Sequence, residues 1–228
     1  MELDFLYLKK ILSPSRSIIS KKEYKSLKNL INSPKTVLNV GSGSNTILGS
    51  KFWDLIPKKN TNLINLDLYP GSNVDVVCDA CNMPFDNETF DLVVCQALLE
   101  HVENPLKIIE EIHRVLKKGG NIYCTVPFLQ GYHADPKDFQ RFTLNGMEHL
   151  LNNFIIVQKG ISSGPFSAIA WIIRDILTFG KKKSFIYNFS RLISSSISLP
   201  VSLIDYVYPR IDSFTRNASE YYYLAKSK

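Results

Sequence analysis

The stretch FDLVVCQALLEHV, residues 90–102, is the part of the sequence that decides the fold. Its first six residues, 90–95, are almost continuously apolar, as expected for a strand covered on both faces of a parallel sheet. A well-marked helix follows, with Asn104 as its N-cap and Pro105 at its first position. The buried stripe of this helix is predicted to be Ile108, Ile109, Ile112, Val115 and Leu116. Lys117 and Lys118 would form its basic last turn, and Gly119 and Gly120 would end it.

The same alternation of strand and helix extends in both directions from this stretch. Short apolar or β-branched runs predict further strands, at 36–40, 62–66, 74–78, 121–126, 154–158 and 221–225. Helices are predicted at 48–55 and at 143–151, the second capped by Thr143. Strands that alternate with helices predict an α/β fold, a doubly wound and mostly parallel sheet of Rossmann-like type. Such sheets bind ligands at the carboxyl ends of their strands.

Composition places the chain among ordinary globular proteins. The 228 residues are 45% apolar and 21% charged, which excludes disorder, collagen and coiled coil for the chain as a whole. The net charge is +6, but the lysines occur in short groups such as 181–183, so no specific nucleic-acid partner is expected. We expect neither a signal peptide nor a membrane-spanning helix.

The four cysteines are Cys78, Cys81, Cys95 and Cys124. All but Cys81 lie at ends of predicted strands, where reduced thiols act as small apolar groups. Cys78 and Cys81 form a single C-x-x-C pair with no second pair of ligands, so no metal site is predicted. The cysteines favour a reducing compartment, and we expect a cytoplasmic protein.

Two regions stand apart from the alternation of strands and helices. Residues 1–33 predict a helical preface, and residues 34–228 are expected to form the main domain. Within that domain, residues 160–216 predict an apolar helical insertion.

The insertion contains two apolar segments, at 166–179 and 185–208, and Pro200 and Asp205 are expected to interrupt the second. Three roles stay open for 166–208. It would serve as a lid over an acceptor site, as a homodimer face, or as a segment peripheral to an anionic membrane.

A glycine turn and two carboxylates mark the carboxyl ends of the first three strands. Gly41-Ser42-Gly43 follows the first strand, and two glycines at this spacing let the backbone turn sharply beside a ligand. Asp67 ends the second strand, where a carboxylate accepts hydrogen bonds from ribose hydroxyls. Asp79 follows the third strand. A tight turn and helix caps would explain each feature singly, but the three together favour a nucleotide-type ligand.

A second group of polar and aromatic residues, at 131–143, follows the fifth strand and so belongs to the same edge of the sheet. This segment is dense in chemistry-bearing side chains, among them Tyr132, His133, Asp135, Asp138 and Arg141. One interpretation is structural, an Asp–Arg pair and a turn before the Thr143 cap. The other is a loop that binds the acceptor.

The order of these motifs resembles the class I S-adenosylmethionine-dependent methyltransferases, and more closely the type 11 methyltransferase domain. The specific part of the resemblance is FDLVVCQALLEHV followed by EIHRVLKKGG, and the resemblance covers about residues 35–159. It implies a seven-stranded sheet of order 3-2-1-4-5-7-6 whose last strand is antiparallel. Loops similar to 133–143 occur in bacterial methyltransferases of this type.

The resemblance also implies roles for individual residues. Gly41 and Gly43, with Asn39 before them, would face the methionine moiety of S-adenosylmethionine. Asp67 and Leu68 would hold its ribose. By position, Asp79 and Ala80 would flank the adenine, and Gln96 would lie near the sulfonium.

Two departures from the family pattern concern the cofactor. Asn39 stands where the family usually has an acid, which weakens the expected contact to the methionine ammonium group. Asn45 stands at the third glycine position, although Asn tolerates the left-handed conformation.

These features predict a methyltransferase that acts on a small-molecule, glycan-like or lipid-linked acceptor at oxygen or nitrogen. His133 is the predicted general base, because an acceptor hydroxyl or amine must lose a proton during transfer. Tyr132, Asp135, Asp138 and Arg141 are the predicted acceptor contacts. The alternatives are a catalytically silent binding domain and, less favoured because Thr46 replaces the last glycine of G-x-G-x-x-G, a nicotinamide-dependent oxidoreductase.

Overall fold

The structure is a computed structural model that describes residues 25, 28–29, 34–43, 61–134, 136–181, 184–207 and 212–228. Almost all of the predicted preface, the predicted helix at 48–55, and Asn45, Thr46 and Asp135 lie outside the described residues. The described strands are β1 (Thr36–Val40), β2 (Asn62–Asp67), β3 (Val76–Val77), β4 (Phe90–Gln96), β5 (Leu116–Pro127), β6 (Phe154–Ser163) and β7 (Glu220–Ser227). The described α-helices are α1 (Pro105–Val115), α2 (Leu144–Leu150), α3 (Pro165–Leu177) and α4 (Phe185–Val207), with 3-10 turns at Leu99–His101 and Asp212–Asn217.

The strands form one seven-stranded sheet of order β3-β2-β1-β4-β5-β7-β6. The pairs from β3 to β5 are parallel. β7 runs antiparallel to β6, because the N–H of Ser219 donates to the carbonyl of Ser163 and that of Lys228 donates to Asn153 at the other end. The predicted fold class and strand order are confirmed.

Burial follows the sequence pattern in the centre of the sheet. β1, β4 and the second half of β5 are almost wholly buried, and α1 contributes Ile108, Ile109, Ile112 and Val115 to the core. The Asn104 side chain caps α1 by accepting a hydrogen bond from the N–H of Lys107. Thr143 caps α2 in the same way through the N–H of Gly146. Both predicted caps are confirmed.

At the amino edge of the sheet, the carboxylate of Asp91 ties β4 to the start of β1. It accepts hydrogen bonds from the backbone of Lys35 and Thr36 and from the Lys117 ammonium group, 2.8 Å away. Partial burial raises the pKa of Asp91, but the hydrogen bonds from Lys117 and Thr36 together outweigh this effect and lower the pKa to about 2.

The predicted end of the helix after Asn104 is wrong. α1 ends at Val115 and β5 begins at Leu116, which pairs with Phe90 of β4. Lys117, Lys118 and the two glycines therefore belong to the strand. The ladder is irregular here, with left-handed backbone at Gly119 (φ +72°), so the glycines serve a distorted strand and not a helix C-cap.

Two further predictions in and around the insertion are wrong. The sixth strand, predicted to end at 158, continues to Ser163 as β6. α4 runs without a break past both expected interruptions. Pro200 lies inside the helix and removes one helical hydrogen bond, and Asp205 is buried with hydrogen-bond partners in α3.

The chain divides into two compact units. Of the described residues, the helical unit contains those between 128 and 132 and between 161 and 220, and within it α3 and α4 pack together. The sheet unit contains the described residues up to 127, between 133 and 160, and from 221 to 228. Within the described residues, no helix combines the length and the apolarity needed to cross a membrane.

Candidate functional site

The glycine turn after β1 adopts the backbone that its sequence predicts. Gly41 and Gly43 both have φ of +71°, a left-handed conformation that glycine adopts without strain. The N–H groups of Gly41 and Ser42 donate to the carbonyl of Leu66, which ties the turn to the end of β2. A Cβ at Gly41 would lie 3.0 Å from Leu98, whereas one at Gly43 would meet no described residue within 4 Å.

The carboxylate of Asp67 holds this turn in place. One oxygen accepts from the N–H of Gly43 at 2.7 Å, and the other from the N–H of Tyr69 at 3.0 Å. Each oxygen has a second lone pair, so the group can still accept hydrogen bonds from a ligand. Leu68 is exposed beside it. The structure therefore places Asp67, Leu68 and the glycine turn together.

Asn39 is buried in β1, and its amide nitrogen donates to the side-chain oxygen of Asn65 at 2.9 Å. Asn65 is in turn held by Asp75, whose carboxylate accepts a hydrogen bond from the backbone N–H of Asn65 at 2.8 Å. The side chain at the family's acidic position is therefore committed to the neighbouring strand β2. A carboxylate at residue 39 would have no N–H to donate to Asn65.

The remaining predicted cofactor residues follow β3 and β4. Asp79 is exposed, and its carboxylate accepts from the N–H of Cys81 at 2.8 Å. Ala80 is half-buried next to it. Gln96 is half-buried at the end of β4, and Ala97 after it has φ of +49°, which is uncommon for a residue with a side chain. The chain thus leaves β4 by a sharp turn directly after Gln96.

A second group of side chains gathers where the turn at Leu99–His101 meets the segment after residue 132. The Nε2 atoms of His101 and His133 each lie 3.8 Å from the same carboxylate oxygen of Glu100. The two imidazole rings meet edge to face, with centroids 5.3 Å apart. These distances are too long for direct hydrogen bonds, so neither imidazole is hydrogen-bonded to Glu100 through Nε2.

The three members of this group differ in burial. The Glu100 side chain is 1% exposed, and neither of its oxygens has a hydrogen-bond partner among the described residues. The side chains of His101 and His133 are 13% and 26% exposed. His133 is therefore the member most accessible to a ligand. A buried carboxylate without hydrogen bonds is costly, so a polar or cationic group that contacted Glu100 would offset that cost.

The backbone of the 133–143 segment is fixed to the turn that carries Glu100. The N–H of Phe139 donates to the carbonyl of Glu100 at 2.8 Å, and the amide of Gln140 donates to Leu99 and Val102. Nδ1 of His101 lies 2.6 Å from the carbonyl of Lys137. A proton on Nδ1 would satisfy that carbonyl and leave the Nε2 lone pair facing Glu100.

Asp138 and Arg141 are partners of each other. The guanidinium group of Arg141 donates to both carboxylate oxygens of Asp138, and the N–H of His133 donates to one of them at 2.8 Å. Hydrogen bonds from Arg141 lower the pKa of Asp138 to about 2, against the opposing effect of burial. This arrangement holds the loop backbone at His133. Tyr132, the other predicted acceptor contact that is described, is highly exposed.

Sequence reasoning missed Glu100 as a site residue. The signal was present, because Glu100-His101 was part of the motif that carries the family resemblance, but burial of the carboxylate is not encoded locally. Glu100, His101 and His133 each offer one ligand atom, and these atoms lie within 4.8 Å of one another. That donor set would suit a divalent transition metal, although the cysteines of the sequence predict no metal site.

Comparison with known proteins gives matches to methyltransferases. Residues 50–124 match the family model described as a methyltransferase domain. A demethylmenaquinone methyltransferase from Staphylococcus epidermidis is 39% identical over 67 residues, which are 29% of this chain and 25% of that protein. A ubiquinone biosynthesis O-methyltransferase from Aliivibrio fischeri is 28% identical over 141 residues, 55% of this chain and 54% of that protein. The chain thus spans between a quarter and about half of these relatives.

Solved structures agree with the fold. The 1,6-didemethyltoxoflavin-N1-methyltransferase of Burkholderia thailandensis, solved with 1,6-didemethyltoxoflavin and S-adenosylhomocysteine, superposes with a TM-score of 0.54. It is 14% identical, and the superposition covers 91% of this chain and 77% of that one. The family match, the strand order and this likeness agree with the resemblance seen in the sequence: residues 50–124 are similar to a methyltransferase domain, and the chain has the class I methyltransferase fold.

Proposed function

We propose that this protein transfers a methyl group from S-adenosylmethionine to an oxygen or nitrogen atom of a small acceptor, which is glycan-like or carried by a lipid. The observation that carries the proposal is the left-handed turn at Gly41 and Gly43, held to the carboxylate of Asp67. This turn lies at the carboxyl ends of β1 and β2, where such sheets bind nucleotide-type ligands.

The residues present fit the cofactor. No described residue lies within 4 Å of a Cβ at Gly43, so that part of the chain leaves room for a ligand against the backbone, and Asp67 retains lone pairs for the ribose hydroxyls. Asp79 and Ala80 would flank the adenine, and Gln96 would lie near the sulfonium. When bound, S-adenosylmethionine supplies an electrophilic methyl group. Because Asn39 replaces the usual acid and is bonded to Asn65, we expect its contact with the methionine ammonium group to be weak.

The protein's part in the reaction is to align the acceptor and to take its proton. We propose that Nε2 of His133 accepts the proton from the acceptor, because His133 is the more exposed of the two imidazoles beside the buried Glu100 carboxylate. Glu100 would stabilise the imidazolium that forms, and Asp138 and Arg141 would hold the His133 backbone in place. Neutral histidine accepts a proton at physiological pH, which suits this role.

Two of the similar proteins are named for quinone lipids, which supports an acceptor carried by a lipid. A hydroxylated benzoquinone with a short prenyl chain is therefore the first acceptor to test. A water-soluble sugar nucleotide is the matched probe for the glycan-like alternative.

The first experiment is calorimetric titration of the purified chain with S-adenosylmethionine and then S-adenosylhomocysteine. We expect micromolar affinity, about −8 kcal/mol. Asp67→Asn should weaken binding about tenfold or more, whereas Glu148→Gln, which removes an acid far along the chain on α2, should not. Asp67→Asn keeps one oxygen that can still accept from the Gly43 N–H, although it loses the acceptor for the Tyr69 N–H. Folded protein that binds neither ligand would favour the silent binding domain instead.

A second experiment tests the base. Once an acceptor that the protein methylates has been identified, His133→Gln should lower kcat about 100-fold or more and leave the affinity for S-adenosylmethionine unchanged. His149→Gln, an exposed histidine on α2, is the matched control. The assay is repeated with a chelator and with added Zn²⁺ or Mn²⁺. Activity that requires added metal would show that His133 is a ligand and not the base.

A further inference from the structure

The hairpin formed by α3 and α4 buries small polar side chains. On α4 the buried residues are Asp205 and five serines, which we call the serine seam: Ser190, Ser194, Ser195, Ser198 and Ser202. On α3 the buried residues are Ser167, Ala168 and Ala170. A helix pair that folds in water buries its apolar stripe, so this hairpin has the opposite polarity.

Four of the five serines of the seam form hydroxyl hydrogen bonds inside the helical unit. The Ser190 hydroxyl donates to the carbonyl of Phe179, and that of Ser194 lies 2.8 Å from the hydroxyl of Thr178. Ser198 and Ser202 donate to carbonyls three residues earlier in α4. Small side chains with internally satisfied hydroxyls let two helices approach closely, which is typical of helix pairs in contact with lipid.

Large apolar side chains cover the outside of the same hairpin. Of the 24 large apolar residues exposed in the described part of the chain, 14 lie between residues 169 and 207. Phe185, Val207 and Ile176 are 82%, 77% and 74% exposed. Monomers that are surrounded only by water rarely present an apolar surface of this extent.

The charges of the hairpin complement an anionic surface. Residues 165–207 contain five basic and two acidic residues, a net charge of 5 − 2 = +3, and one of the acids, Asp205, is buried. Lys181 is exposed in the link between the helices, between the exposed rings of Phe179 and Phe185. Lysine beside exposed aromatic residues is typical of helices that lie at the surface of anionic lipid.

We propose that the α3–α4 hairpin docks on an anionic lipid bilayer, with its apolar outer face in one leaflet and Lys181 among the phosphate groups. α3 has 13 residues, about 20 Å, which is short of the ~30 Å hydrocarbon core, so the hairpin lies along the interface. Docking needs neither cofactor nor acceptor. It is therefore independent of the methyl transfer proposed above, although it would bring the enzyme to a lipid-borne acceptor.

The test is flotation of the full chain with vesicles of phosphatidylcholine, with and without phosphatidylglycerol. The chain should float with the anionic vesicles. Ile176→Ser combined with Phe185→Ser should reduce the bound fraction about tenfold or more, because two exposed apolar side chains are lost. Lys181→Glu should weaken binding several-fold on anionic vesicles only.

The matched control is Ile155→Ser with Val157→Ser, which removes two exposed apolar residues from β6. It should float like the wild type. Equal loss in this control, or no flotation of the wild type, would overturn the proposal. So would a stable dimer that Ile176→Ser with Phe185→Ser dissociates in the absence of lipid, because the apolar face would then belong to a second copy. Titration with S-adenosylmethionine is expected to be the same for all variants, which separates failure of docking from failure of the cofactor site.

Discussion

Helices α1 and α4 follow opposite rules of burial. α1 buries Ile108, Ile109, Ile112 and Val115 and turns its charged residues outward, as expected for a helix between a sheet and water. α4 buries five of its six serines and turns Leu, Ile and Phe outward. Both helices are strongly two-faced, so the difference lies in which face the protein covers.

This contrast shows that amphipathicity alone does not define the inside of a protein. The sheet unit obtains its stability from apolar side chains removed from water. The α3–α4 hairpin is held by close packing of small residues and by hydrogen bonds, the interactions that remain effective where apolar side chains gain nothing from being buried. A smaller side chain on the buried face should therefore destabilise α1, whereas a larger apolar side chain on the buried face should destabilise α4.

The largest effect is expected in α1. Ile112→Ala should cost about 2–5 kcal/mol of unfolding free energy, because Ile112 is fully buried and its loss leaves a cavity. Ile176→Ala on α3 should change it by less than about 0.5 kcal/mol, because that side chain is 74% exposed. Urea unfolding followed by circular dichroism gives both values. Equal costs would show that the outer face of the hairpin is packed against something.

Reversing the polarity of α4 is the second test. Ser194→Leu should destabilise the hairpin by about 1–3 kcal/mol, although it adds apolar surface, because the fully buried site at Ser194 has no room for three more carbons. Ile197→Ser, at an exposed position one turn away, should be nearly neutral in water. Thermal unfolding of the two variants is compared with that of the wild type. A stabilising Ser194→Leu would mean that the helices can separate and repack.

Lowering the pH should weaken the charged loop around Asp138 and leave the neutral serine seam unaffected. The pKa of Asp138 is lowered to about 2, so its ionised form stabilises the folded state above the unfolded pKa of about 4, and this contribution is lost as pH falls toward 2. Above pH 5, Asp138→Asn should cost about 1–2 kcal/mol, and the difference from the wild type should shrink between pH 4 and pH 2.

Ser194→Ala provides the reference for that experiment, because a hydroxyl does not titrate in this range. Its effect on the unfolding free energy should be the same at pH 5 and pH 3. A pH-independent effect of Asp138→Asn would show that the Arg141 pair does not hold the loop in solution.

The smallest expected effect concerns the cap of α1. Asn104→Ala should cost about 1 kcal/mol, because the N–H of Lys107 loses its acceptor. Asn104→Ser should restore most of that stability, since serine supplies an equivalent oxygen. The measurement is the urea midpoint. If the alanine and serine variants are equally stable, the side chain of residue 104 contributes no cap.

Local signals were sufficient for much of the fold. The caps at Asn104 and Thr143 were predicted correctly, because capping depends on residues three positions apart. The strand order followed from the family resemblance. The end of α1 was predicted wrongly because Gly119-Gly120 imitates a helix C-cap, while the pairing of Leu116 with Phe90, 26 residues earlier, decides the boundary.

The candidate site was only partly predictable for a similar reason. Gly41, Gly43 and Asp67 follow their strands directly, so the parallel sheet alone brings them together. Glu100 and His133 meet through hydrogen bonds of Phe139 and Gln140 that no local pattern announces. The period of α4 shows two faces, but it does not show which one is covered.

The start of α3 depends on a residue much later in the chain. Its N-cap, Gly164, has no side chain, and the first turn is capped instead by Asp205, which accepts hydrogen bonds from the N–H groups of Phe166 and Ser167 and from the Ser167 hydroxyl. During synthesis at about 5–20 residues per second, the 38 residues from Ser167 to Asp205 take about 2–8 s. During that interval the first turn of α3 has no cap. The hairpin is therefore completed only when the segment that contains Asp205 has been made, and it then exposes its apolar face as one unit.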